Sequence, residues 1–376
     1  MSREIVCPFC FEKVPVTSLG FYCENCRSGF PRNVLSRFLH FPNFTFKQKC
    51  PQCHQMTTSW QCPACKSELP PSIADAASDL TIAIIGAKET GKSHFITMLI
   101  EQIQKLYDQF DWALLRMNES TIHRYTEEFR KPIFEHLETI PPTQEGKREP
   151  LLFSLKFRHP RRSITLAFFD TAGEELDRST QEMDRINRYI YNASGIICLL
   201  DPLQLSRVRN VLIPRIGVRA LPQENTDAST MLTKVVHLIR HGFKCKNQPL
   251  YGRPIPIPLA VVFSKIDAMR TLENTPPIEL FAADAPLFQP SRHQGIFSVS
   301  QFENIHEYLK AWLQEVDTFA SIIQPCREFS TVGFFGLSAL GCNPQETQKL
   351  KHEPRPWLVE DPFLWLLWQK KLIKGK

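Results

Sequence analysis

The stretch "LTIAIIGAKETGKS", residues 80 to 93, constrains this chain more than any other. An apolar run leads into Gly86, and the loop closes on Gly91, Lys92 and Ser93 ahead of a helical pattern carried by Phe95, Leu99, Ile103 and Leu106. A strand, a glycine-bounded loop and a helix in that order form a cradle for phosphate. Backbone N–H groups of Gly86, Ala87, Lys88, Glu89, Thr90 and Gly91, and of the helix start at Lys92, Ser93 and His94, are expected to face the phosphate oxygens. The Lys92 ammonium neutralises β and γ oxygens, and the Ser93 hydroxyl is a ligand for Mg²⁺. Lys88 and Glu89 stand where the tightest cradles carry small residues.

Further apolar runs of strand length follow at 164–169, 195–200, 258–263 and 332–337, separated by helical patterns. Runs without polar alternation suit strands covered on both faces, as in parallel sheets. "FSLKF", residues 153 to 157, differs: Ser154 and Lys156 alternate with Phe153, Leu155 and Phe157, and a short turn leads straight into the next run. That pattern predicts an antiparallel edge strand. The expected fold is therefore α/β, a mostly parallel six-stranded sheet with one antiparallel edge strand, occupying residues 80–376 with insertions.

Ahead of it lie eight cysteines in four C-x2-C pairs. Each pair can aim two thiolates at one ion, and two pairs complete the four-sulfur shell that Zn²⁺ prefers. Short spacers favour sequential closure: Cys7, Cys10, Cys23 and Cys26 for one ion, Cys50, Cys53, Cys62 and Cys65 for the other. Crossed closure, first pair with third, is the alternative. Sequential closure predicts two ribbons, 1–30 and 31–70, then a proline-bearing linker at 71–79. Disulfides are disfavoured in a chain without a secretory leader. Metal loss is expected to unfold this front end while sparing the nucleotide site. The aromatic run 38–46 suits either base stacking or packing between the ribbons.

The net charge of +6 raises nucleic acid as a partner. Residues 1–70 carry eight Lys or Arg against four acidic residues, an excess that eight thiolates and two Zn²⁺ cancel, so nucleic acid is not favoured. The chain has no apolar run of about 18 residues or more, and "MSREIVCPFC" lacks a basic-then-apolar leader. A cytoplasmic protein without a transmembrane segment is expected.

Three more signals sit at strand ends. In "FFDTAGEE", Asp170 can hold Mg²⁺ through water and Gly173 offers an N–H to a γ-phosphate. In "VVFSKID", Asp267 matches the two donors of guanine, the Lys265 stem covers the ring, and Ser264 precedes them. In "GLSALG", Ser338, Ala339 and Leu340 bring a backbone N–H to the guanine O6. Together with the phosphate loop these resemble the ordered motifs of Ras-like GTPases of the TRAFAC class. The resemblance implies GTP as substrate, Mg²⁺ as cofactor, slow hydrolysis and loops that sense the γ-phosphate. The paired cysteine ribbons, the insertions and the ending "RPWLVEDPFLWLL" also resemble bacterial double-GTPase families. That narrower resemblance implies a role in conflict or defence systems and a protein partner, a second GTPase among the candidates.

The pattern departs from Ras-like proteins in several places. Thr143 is the expected switch threonine and Mg²⁺ ligand, with Thr139 and Thr126 as competitors, after an inserted helix at 119–138. Ser264 replaces the usual asparagine, and Glu174 stands where a water-orienting glutamine is usual. Lys88 replaces a glycine, so its ammonium is either solvated or a substitute in cis for an arginine finger. Residues 268–300 form a long insertion that suits partner docking or an ordered excursion. The final "FLWLLWQKKLIKGK" reads as a core-facing helix rather than a membrane-surface one. Two other readings stay open: an ATP-using P-loop enzyme with a fortuitous "SKID", and a zinc-ribbon scaffold or nucleic-acid binder with a structural nucleotide site.

Overall fold

The computed structural model describes residues 4–32, 47–73, 78–87, 89–141, 149–169, 181–216, 228–269, 285–316, 321–342, 344 and 347–376. Its centre is a seven-stranded sheet: β1 (Ser78–Gly86), β2 (Trp112–Arg116), β3 (Leu151–Phe157), β4 (Arg162–Phe168), β5 (Gly195–Leu200), β6 (Leu259–Phe263) and β7 (Val332–Gly336), ordered β2-β3-β4-β1-β5-β6-β7. β4, β1, β5, β6 and β7 run parallel, whereas β3 is antiparallel to both β2 and β4. The parallel strands are apolar on both faces because helices cover both; β5 and β6 are buried along their whole length.

The expected mixed α/β class holds, with a seventh strand and a different edge. β2 lies outside β3, so Phe153–Phe157 is internal, and of the residues in β3 only Lys156 is exposed. β2 is held by Trp112, which stacks on Phe110 at 4.6 Å, meets Phe157 edge-on and donates its indole N–H to the Ile103 carbonyl at 2.9 Å. The remainder of β2 is mostly exposed, and its apolar run is only four residues long, Trp112 to Leu115.

The helices that matter to the site are α1 (Lys92–Lys105), α2 (Gln181–Tyr191), α3 (Ser206–Ile216), α4 (Ala228–Cys245), α5 (Val299–Val316) and α6 (Asp361–Gln369). In α1, Phe95, Leu99 and Ile103 share one face and are fully buried, as the four-residue spacing requires. The inserted helix runs from Glu119 to Phe134, capped by Asn118 Oδ1 on the Thr121 N–H at 2.9 Å and wound as a π-turn in its middle. Phe363, Leu364, Trp365, Leu366 and Leu367 of α6 are buried in the main core, which makes α6 a core helix. Described parts of the 268–300 insertion are also packed: Leu287 and Phe288 are buried, and Leu287 accepts the Trp357 indole N–H at 2.8 Å. Among the described residues no helix is long and apolar enough to cross a membrane.

The cysteine segment forms a small second core around Ile5, Val16, Leu19, Phe21, Trp60 and Leu69, with Phe21 stacked on Trp60 at 4.6 Å. One four-stranded sheet joins Ser28–Phe30, Gly20–Cys23, Trp60–Gln61 and Glu68–Leu69. Segments 1–30 and 31–70 therefore share a sheet. The aromatic run 38–46 lies outside the described residues.

Candidate functional site

Two groups of four thiols form, but neither is the expected set. Cys7, Cys10, Cys62 and Cys65 make one, and Cys23, Cys26, Cys50 and Cys53 the other, each group's sulfurs lying within 4.8 Å of one another. Closure is nested, first pair with fourth and second with third, rather than sequential or crossed first-with-third. The physical reason is that loop closure grows only logarithmically, so tripling the closed loop costs about 1 kcal/mol. Nested closure accompanies the pairing of Phe21 with Trp60 in the shared sheet, and an aromatic pair of this kind contributes about 0.5–1.5 kcal/mol, comparable to that cost. Each knuckle is built alike: the residue after its second cysteine, Phe11, Arg27, His54 or Lys66, has a left-handed φ of 58°, 48°, 62° or 63°. In three of them that residue's N–H returns to the first cysteine's carbonyl, at 2.8 Å for Phe11 and 3.0 Å for His54 and Lys66.

The sulfurs fit Zn²⁺. Four thiolates about 2.3 Å from a common centre lie about 3.8 Å apart, and the separations found are 3.8 Å (Cys7–Cys65), 3.9 Å (Cys10–Cys62), 3.5 Å (Cys23–Cys53) and 3.9 Å (Cys26–Cys50). Bonding among the sulfurs, with burial, raises the Cys7, Cys10 and Cys26 thiols, whereas backbone hydrogen bonding at Gln55 lowers Cys53 to about 6 and bonding with Cys10 lowers Cys62 to about 7. All twelve cysteines are free thiols, which excludes the disulfide framework in this structure.

The phosphate loop rises from β1 into α1. A Cβ on Gly86 would meet Thr90 Oγ1 at 2.6 Å and the Leu199 carbonyl at 2.8 Å, so only glycine fits where the loop leaves the sheet. Gly91, with φ of 86°, starts α1 without a side-chain cap. The first N–H groups of the helix are thus presented to the loop rather than covered by a side chain. Lys92 is buried, its ammonium donating to the carbonyls of Gly86 at 2.9 Å and Ala87 at 3.0 Å, and Thr90 Oγ1 donates to the Ala87 carbonyl at 2.9 Å. Glu89 has a left-handed φ of 63° and an exposed side chain, so its carboxylate does not enter the cradle. Ser93 is half-buried at the start of α1.

His94 turns away from the loop. Its Nε2 accepts the Ile140 N–H at 3.1 Å, and burial, with the Lys265 charge, lowers the imidazole to about 4, so the ring is neutral. It anchors the chain entering 142–148 rather than contributing a side-chain donor. Thr139 Oγ1 meets the Gln348 side chain at 2.7 Å, and Thr126 lies within the inserted helix. Lys88, Thr143, Asp170, Gly173 and Glu174 lie outside the described residues.

The base-side loops meet beside this cradle. The Leu337 N–H donates to the Phe263 carbonyl at 2.9 Å and the Ile266 N–H to the Leu337 carbonyl at 3.2 Å, which joins the turns after β6 and β7. Asp267 stands in the short helix Ile266–Met269, and Ser338 Oγ accepts the Gly341 N–H at 2.9 Å, shaping the turn that carries Ala339 and Leu340. Ser264 is tied to β5: its N–H and Oγ both donate to the Leu200 carbonyl, at 2.9 and 3.2 Å. Lys265, at φ 56°, supplies the tie to the phosphate loop, donating to the Glu89 carbonyl at 2.9 Å and to Asp201 Oδ2 at 2.7 Å. Asp201, which the sequence did not single out, is placed by this bridge beside the phosphate loop. It directly follows the apolar β5, as Asp170 follows the apolar run 164–169 in sequence, and that shared placement was the available signal.

Residues 80–313 match the Double-GTPase 2 family model. The chain is 25% identical over 319 residues, 81% of its length and 78% of the relative's, to the "Putative ESX-1 scaffolding and assembly protein SaeC" of Mycolicibacterium smegmatis (strain ATCC 700084 / mc(2)155). Solved structures overlap only loosely. The GTPase-like domain of S. cerevisiae Ski7, bound to GDP and inorganic phosphate, gives a TM-score of 0.35 at 12% identity, covering 80% of this chain and 51% of that one. The SRb-GTP/SRX complex from Chaetomium thermophilum gives 0.25 at 12% identity, covering 72% of this chain and 96% of that one. The family model spans well over half of the chain and takes in the phosphate loop, Asp201 and the "SKID" turn, and on that match the chain belongs to the Double-GTPase 2 family.

Proposed function

We propose that this chain is a GTP-binding and slowly GTP-hydrolysing switch whose cysteine module holds two structural Zn²⁺ and faces a protein partner. The observation that carries the reading is the convergence, at one end of the sheet, of the loop at 86–93, the Lys265 bridge between Glu89 and Asp201, and the joined turns carrying Asp267 and Ala339. Lys92 neutralises phosphate charge, and the open helix start of α1 donates N–H groups to the same oxygens. Asp267, half-buried in the turn after β6, accepts from the two guanine donors; adenine lacks both and would cover the carboxylate while leaving it unpaired. Mg²⁺, held by Ser93 with Asp170 and Thr143, supplies charge compensation on the phosphates when bound. Lys88 and Glu174 set the slow turnover, Lys88 as a cation in cis and Glu174 at the attacking water.

A scaffolding role rests on the similarity to SaeC, whose description names scaffolding and assembly. In that reading the nucleotide state governs an assembly step. Replacement Asp267→Asn tests the guanine reading: GTP affinity is expected to fall and xanthosine triphosphate affinity to rise, because the new amide donates to the C2 oxygen of xanthine. An unchanged preference for GTP in that variant would remove Asp267 from the base site.

A further inference from the structure

The ladder between β4 and β1 ends at the pair Phe168–Ile82. One step further the register would pair Phe169 with Ala83. In a parallel ladder that pair would use the Ile82 carbonyl and the Ile84 N–H. The alternate groups of β1 face β5, as the Ser194 N–H on the Thr81 carbonyl at 2.8 Å shows. The phenol of Tyr189, from α2, takes both places on the β4 side: it donates to the Ile82 carbonyl at 2.5 Å and accepts the Ile84 N–H at 3.0 Å. Tyr189 is fully buried. One hydroxyl therefore stands in for the Phe169 peptide, and the chain leaves the sheet one residue ahead of Asp170 in sequence.

Helix α2 is also where the cysteine module is fastened. Phe11, set in its left-handed turn by the first knuckle, is fully buried in the core of the large domain, with its ring 5.5 Å from Phe169 and 4.8 Å from Tyr189. The Arg185 guanidinium lies over Phe169 at 4.7 Å and Phe11 at 5.7 Å, and its Nε donates to the Phe9 carbonyl at 2.5 Å. Arg188 pairs with Glu12 at 2.8 Å, and Asn192 Nδ2 donates to the Phe11 carbonyl at 2.6 Å. Three residues of the first knuckle's turn, Phe9, Phe11 and Glu12, thus hold α2 and its C-terminal end, and that helix carries the hydroxyl which ends β4.

We propose that Tyr189 is a positioning residue that competes with the Phe169 peptide for β1, and that the cluster of Cys7, Cys10, Cys62 and Cys65 acts through Phe11 and α2 on magnesium-dependent nucleotide binding. This rests on the nucleotide-switch reading above. With the phenol in place, β4 stops at Phe168. With the phenol withdrawn, Ile82 and Ile84 regain backbone partners when Phe169 joins the ladder, which lengthens β4 by one residue beside the strand that leads into the phosphate loop. Because coupling between sites is reciprocal, nucleotide with Mg²⁺ must alter the hold on the first metal ion by the same factor.

The experiment uses the full, zinc-loaded chain and compares GTP and GDP dissociation constants in magnesium-free buffer and with Mg²⁺. In Tyr189→Phe the tightening produced by Mg²⁺ is expected to grow by about fivefold or more relative to the unaltered chain. Phe11→Ala, with metal content checked at the level of the unaltered chain, is expected to move the ratio in the same direction, because it releases α2. A ratio unchanged or diminished in Tyr189→Phe overturns the role of Tyr189. A ratio moved by Tyr189→Phe but not by Phe11→Ala overturns the coupling to the cysteine cluster. A merely structural role for either side chain would lower the melting temperature and leave the ratio alone. Failure of the unaltered chain to bind GTP or GDP at all would instead sink the nucleotide-switch reading, so the two failures are distinct.

Discussion

Removing the Asp201 carboxylate tests whether the Lys265 bridge holds the site together. Asp201 is 1% exposed at its side chain and Lys265 34%, with 2.7 Å between Oδ2 and Nζ. Deleting one partner of a fully buried pair costs about 3–5 kcal/mol, but Lys265 keeps access to water, which reduces this contribution to about 1 kcal/mol. Asp201 Oδ1 also accepts the Leu203 N–H at 2.9 Å as the cap of the turn at Pro202–Gln204. Loss of that cap adds about 1 kcal/mol. Asp201→Ala should therefore lower stability by about 2 kcal/mol and the melting midpoint by about 4–8 °C. Asp201→Asn keeps the cap and should lose only about half as much. The functional part is read separately: with its ammonium no longer held, Lys265 should grip the Glu89 carbonyl less well, and GDP should leave about tenfold faster from Asp201→Ala. Thermal unfolding and stopped-flow release of a fluorescent GDP analogue measure the two quantities. Asp201→Ala with an unchanged midpoint and an unchanged release rate would refute the bridge as a determinant of either.

Metal analysis of purified, reduced protein should return two Zn²⁺ per chain, and one or none would contradict the two four-sulfur groups. Gly86→Ala should abolish tight nucleotide binding, because its Cβ would sit 2.8 Å from the Leu199 backbone and the loop must shift; retained affinity would show that the cradle is not the binding element. His94 is held at about 4, below its ordinary 6.5, so the unfolded chain binds the extra proton between those values. Stability from this group is complete above about pH 6.5 and is lost as pH falls toward about 4. Denaturant unfolding of His94→Gln against the unaltered chain across that window should show a shallower pH dependence in the variant, and parallel curves would contradict the assignment.

Local chemistry was legible in the sequence where one residue type answers one steric or electrostatic demand. Gly86, Gly91 and Lys92 are of that kind, as are the long apolar strands β1, β5 and β6. What sequence did not reveal depends on contacts between distant segments. Nested closure of the knuckles goes with Phe21 against Trp60, a contact between segments distant in sequence, and four equivalent C-x2-C pairs hold no local record of it. β2 was hidden because only Trp112 is buried and Leu114 partly so in a short strand that is otherwise exposed. Phe11, too, is unmarked in sequence: it leaves its own small core, is buried in the large one and so ties the cysteine segment to the domain that carries the phosphate loop. Nor does periodicity mark Tyr189, whose hydroxyl, rather than its ring, decides where β4 ends.

The central claim is that the converged loops hold a guanine nucleotide with Mg²⁺, and the most direct test is the affinity of the purified chain for GTP, GDP and ATP, each with and without Mg²⁺. The account predicts GTP and GDP binding at least about 10³-fold tighter than ATP, from the carboxylate that adenine would leave unpaired, with GTP binding strengthened by Mg²⁺. Equal affinity for ATP and GTP, or guanine nucleotide binding indifferent to Mg²⁺, would contradict it.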